Sequence, residues 1–177
     1  PEMVFEQNAT IKDLPNQDIP VVFPTPVSYQ ARDGKFILSP ATAIQADPAF
    51  SNEAALLKEE LESFTSFKFN ANQNYSNSIL LVLDKTLSTE AYTLSVSNNQ
   101  IKISASQPIG IFYGIQSLKS AMPLVAWKTK QESLDIPCMD VKDQPRFEYR
   151  GLHIDVARNF QTKEAVSYTH LRAHETG

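Results

Sequence analysis

Arg150, His153, Asp155 and Arg158 fall together in the run Glu148-Tyr149-Arg150-Gly151-Leu152-His153-Ile154-Asp155-Val156-Ala157-Arg158. A guanidinium can donate to two neighbouring oxygens through its planar fork, a carboxylate can pair with it, and an imidazole can move a proton. Interleaved with β-favouring apolar residues, these charges are costly to bury unless they are paired or line a polar cleft. A strand whose end points into an active site has this composition. His153, inside the apolar part of the run, reads as a hydrogen-bonded packing residue ahead of an acid or base.

The other residues able to do chemistry read as structural. Glu59-Glu60 lies on the charged side of a helical pattern and is expected to be solvated surface. Cys138 is the only cysteine, which excludes an internal disulfide and a cysteine metal cluster and suits a small buried hydrophobe. Trp127, the sole tryptophan, sits in a connecting segment and reads as packing. His170 and His174 have the spacing of two ligands on a helix, but the HExxH pattern is absent and the surrounding sequence looks foreign, so no metal or cofactor site is expected. No glycine-rich phosphate loop, serine-nucleophile elbow or cysteine-histidine pairing is present.

Elements must position that charged run. In the helical pattern after Asp47-Pro48, Phe50, Ala54, Leu57, Leu61 and Phe64 form one apolar stripe, with Lys58, Glu59, Glu60 and Glu62 off it. A second stripe, Ile111, Ile115, Leu118 and Met122, opens at Pro108 and stops before Pro123; Gly110 and Gly114 on one side would let that helix approach its neighbour closely. Tyr92, Leu94 and Val96, then Ile101, Ile103 and Ala105, alternate with polar residues around Ser97-Asn98-Asn99-Gln100 and predict a β-hairpin. Residues 78–84 read as a central strand buried on both faces, and residues 34–38 and 42–46 as short strands. Prolines place residues 21–26 at a sheet edge or where the chain joins the fold, and residues 1–20 read as a lead-in.

At 177 residues, with 42% hydrophobic and 20% charged residues, the chain can bury one full core plus a remainder. The net charge of −4 comes without any clustered basic face, which argues against nucleic acid as a partner. No apolar run is long enough to span a bilayer. The expected fold class is α+β: a mostly antiparallel sheet with two helices packed on one face over residues 21–143.

The run from Pro145 to Phe160 resembles the first strand of the catalytic barrel in glycoside hydrolase family 20, and Pro108-Ile109-Gly110-Ile111-Phe112-Tyr113-Gly114-Ile115-Gln116-Ser117-Leu118 resembles the last helix of the α+β domain before that barrel. The resemblance implies that residues 144–166 begin an incomplete TIM barrel and that Arg150 binds hydroxyls of a terminal N-acetylhexosamine. It also implies that Asp155 and Arg158 form a framework ion pair; Asn159 departs from a frequent histidine. Enzymes of this family use the substrate's own acetamido oxygen as nucleophile, helped by an adjacent Asp-Glu pair. This sequence contains no Asp-Glu dipeptide, so no catalytic residue is expected in it and the chain by itself is expected to be inactive. Residues 167–177 abandon the family pattern and read as a non-native tail. The implied partners are glycans ending in N-acetylhexosamine. A periplasmic or extracellular location follows from such substrates and from Pro1 standing where an initiator Met would. The alternative is a non-catalytic α+β module that packs on a partner or binds sugar; the sequence does not reveal oligomeric state.

Overall fold

Among the described residues of 19–145, alternation and helical stripes settle into six strands and two α-helices: β1 (Ser28–Leu38), β2 (Thr42–Ala46), α1 (Ser51–Phe64), β3 (Asn77–Leu83), β4 (Tyr92–Val96), β5 (Gln100–Ala105), α2 (Pro108–Ser120) and β6 (Leu134–Asp143). The computed structural model describes residues 19–69, 77–151, 160, 162–165 and 167. The chain divides into two compact units, residues 1–145 and 146–177.

The hairpin follows from its period of two. Val96 stands opposite Ile101 and Tyr92 opposite Ala105, while the Ser97 amide donates to the Gln100 carbonyl at 2.8 Å to close the turn. One face of the pair therefore carries Tyr92, Leu94, Val96, Ile101, Ile103 and Ala105, all buried. α2 covers this face of β4 and β5, and α1 lies on β2 and touches α2. Asp47 caps the 3₁₀ turn Pro48–Phe50 by accepting from the Ala49 amide at 3.0 Å, and α1 follows with Leu57, Leu61 and Phe64 buried.

The strand order is β1-β6-β4-β5-β3-β2. The sheet is more mixed than expected: β1, β6, β4 and β5 pair antiparallel, whereas β5, β3 and β2 pair parallel. The physical reason is α1, a crossover that carries the chain back to its starting end so that β3 can only join β2 in the same direction. β3 lies one place in from the β2 edge and not at the centre; Ile79 and Leu81 are buried, while Leu80 and Val82, facing the other way, are half-buried.

β6 has no counterpart in the sequence reading. Its buried residues change parity along the strand, from Leu134, Ile136 and Cys138 to Met139 and Val141, which hides the alternation that marks a strand. Pro137 obscures it further. That proline lies beyond Met139, where pairing with β4 ends, so its missing amide breaks no rung of the β4 ladder. Opposite, β1 carries an irregularity between Ala31 and Lys35 in which Gly34 takes a φ of 99°, a backbone conformation that favours glycine.

At Gly110, as at Gly114, α2 approaches the sheet too closely for a side chain. A Cβ on Gly110 would meet the Ala91 carbonyl oxygen at 2.5 Å and the Ala105 Cβ at 2.7 Å, both held by backbone that cannot swing aside. Gly110→Ala gains about 1 kcal/mol of helix propensity, but overpacking costs about 1–3 kcal/mol. The net is a loss of up to about 2 kcal/mol in a urea titration; greater stability than the parent would mean that α2 can lift away from the sheet without cost.

The second unit is described at residues 146–151, 160, 162–165 and 167, with residues 163–165 helical. Residues 146–151, read from sequence as part of the run that resembles a first barrel strand, are irregular here. A strand without neighbours leaves its amides and carbonyls unpaired and both faces uncovered. The rest of the motif, with His153, Asp155, Arg158 and Asn159, lies outside the described residues, as do His170 and His174.

Candidate functional site

Arg150 is exposed and belongs to an irregular stretch beside the exposed rings of Phe147 and Tyr149. Its Nη1 donates to the Phe147 carbonyl oxygen at 2.5 Å, which folds the side chain back over the three residues before it. Gly151 follows under the Tyr149 ring: a Cβ on it would stand 2.8 Å from the Tyr149 hydroxyl. The described geometry therefore supplies an exposed guanidinium held to the backbone of Phe147. Asp155 lies outside the described residues.

The residues set aside as structural divide into those that match and one that differs. Cys138 is buried in β6, its thiol donating to Asn98 Oδ1 at 3.2 Å. Burial pushes the thiol pKa up and Arg32 pulls it the other way, so the thiolate that would be reactive is disfavoured. Trp127, in the 3₁₀ turn Leu124–Trp127, packs edge-on against Phe64 at 4.8 Å and stays 55% exposed. Glu60 was expected in solvent beside Glu59, yet its carboxylate bridges from α1 to Lys119 on α2 at 2.6 Å, with side chains 27% and 17% exposed. The reason is tertiary. Only the placement of α2 beside α1 gives that carboxylate a cation.

Two polar arrangements have no signal in the sequence. On the sheet face turned away from α1 and α2, Asp140 of β6 accepts from Ser95 Oγ at 2.7 Å and pairs with Arg32 at 2.6 Å, tying three neighbouring strands together. Glu62 accepts from Lys68 at 2.7 Å and from the Phe69 amide at 3.2 Å; the lysine bond first, then the amide, outweighs desolvation and lowers its pKa. Among the described residues, no group of three His, Cys, Asp or Glu could hold a metal ion. No helix among them is long and apolar enough to cross a membrane.

At the end of β6 a buried phenol joins β4, α2 and the boundary between the units' sequences. The Tyr92 hydroxyl shares a hydrogen bond with Ser117 Oγ and lies 3.5 Å from Asp143 Oδ2, while Asp143 Oδ1 accepts from the Val27 amide at 3.1 Å. Burial pushes the Tyr92 pKa up to about 12; the Ser117 bond opposes this and the Asp143 charge adds to it. An unfolded tyrosine ionises near pH 10, so from about pH 10 upward the unfolded chain loses its proton first. The contribution is fully present below that pH and is lost as pH rises toward 12. Thermal scans are expected to show Tm falling across this window, with a shallower fall in Tyr92→Phe, which should also lose about 1 kcal/mol at neutral pH by orphaning Ser117. Identical alkaline slopes would remove Tyr92 from the account.

Residues 20–144 match a family model described as Glycosyl hydrolase family 20, domain 2. A β-hexosaminidase of Vibrio vulnificus is 28% identical over 163 residues, covering 92% of this chain. An N,N'-diacetylchitobiase of Vibrio harveyi is 29% identical over 170 residues, covering 93%. The chain spans 18% of the length of each of these relatives. A crystal structure of a family 20 exo-β-N-acetylglucosaminidase from Vibrio harveyi with N-acetylglucosamine superposes with a TM-score of 0.66 at 26% identity, over 89% of this chain and 25% of that one. Its mixed six-stranded α+β architecture and these matches agree: the chain belongs to glycosyl hydrolase family 20, with the family's domain 2 at residues 20–144.

Proposed function

We propose that this chain is the front part of an exo-acting β-N-acetylhexosaminidase that removes terminal N-acetylhexosamine from glycans or chitooligosaccharides, acting in the periplasm or outside the cell. The observation carrying the reading is the family match at residues 20–144, followed in sequence by the charged run around Arg150. In the complete enzyme, residues 144–166 open a TIM barrel and Arg150 grips two adjacent sugar hydroxyls through its planar fork. The acetamido oxygen of the substrate attacks its own anomeric carbon. A glutamic acid protonates the leaving oxygen, and an aspartate holds and polarises the acetamido group. Both carboxylates lie beyond this sequence, which has no Asp-Glu pair. Residues 1–177 alone are then inactive, since binding and reacting groups must be held together by one closed site.

The second reading, a non-catalytic module, is favoured by one observation: residues 1–145 form a compact unit with its own buried core. The two readings part in a paired measurement. Residues 1–177 are expected to release no chromophore from a nitrophenyl N-acetyl-β-glucosaminide and to give no heat on titration with N-acetylglucosamine. The uninterrupted parent frame is expected to hydrolyse the same substrate. Saturable sugar binding by residues 1–177 would favour the module, and a parent without hexosaminidase activity would overturn the enzyme.

A further inference from the structure

We draw no further inference here: the strongest candidate, the exposed apolar surface carried by Ile109 and Phe112 of α2 and by Leu124, Val125 and Trp127 of the turn after it, is an unpartnered face, and nothing in the structure shows what covers it.

Discussion

Phe50→Ala is expected to remove about 3–5 kcal/mol from the unfolding free energy, the usual cost of deleting a buried phenylalanine ring. Phe50 is fully buried at the junction between the Asp47-capped turn and α1, and the turn that carries it touches α2 as well as α1. Its truncation loses the transfer free energy of the ring and leaves a cavity whose walls belong to regular elements with little freedom to collapse. For a unit of this size each kcal/mol moves Tm by about 3–6 °C, so a fall of at least about 10 °C is anticipated. The matched control is Leu124→Ala, at a side chain 83% exposed, which should change stability by less than about 0.5 kcal/mol. A chemical-denaturation pair reads both. If Phe50→Ala costs no more than the control, the junction is not part of the core and the account of α1 fails.

Under the proposed function, Arg150→Ala in the complete enzyme is expected to lower kcat/KM for a chromogenic N-acetylhexosaminide about 10²–10³-fold. Two hydrogen bonds from a charged donor are each worth about 1.5–3 kcal/mol, and part of that is recovered by water in the variant. Arg150→Lys should restore little of the loss, because a single ammonium cannot span two hydroxyls as a planar fork does. The bond from Arg150 to the Phe147 carbonyl offers a competing, purely structural role. Such a role would lower the melting temperature and leave KM unchanged. A variant with wild-type kcat/KM, or one whose deficit tracks stability alone, would refute sugar binding by Arg150.

Elements with a single unbroken period were legible before any coordinates. The stripes of α1 and α2 and the β4–β5 hairpin bury the residues their spacing marked, with Ala54 of α1 only half-buried, because a helix or strand with one apolar side has one face to bury. β6 was not legible: its apolar side changes parity near Pro137, and no local rule anticipates a parity change imposed by an irregular neighbour in β1. The first half of β1 escaped for a similar reason. Its residues are mostly exposed at the sheet edge and carry no alternation to detect.

Of the candidate site, the sequence alone determined the residue types and their order: a family 20 domain followed by a run holding Arg150, with no Asp-Glu pair to complete the chemistry. Only tertiary structure decided that Glu60 meets Lys119, that Asp140 joins Ser95 and Arg32, and that Tyr92 reaches Ser117. Periodicity is a property of neighbours along the chain, and it fixes which face turns inward. Pairing of polar groups across elements depends on how those faces are brought together, which the spacing of residues in one element does not encode.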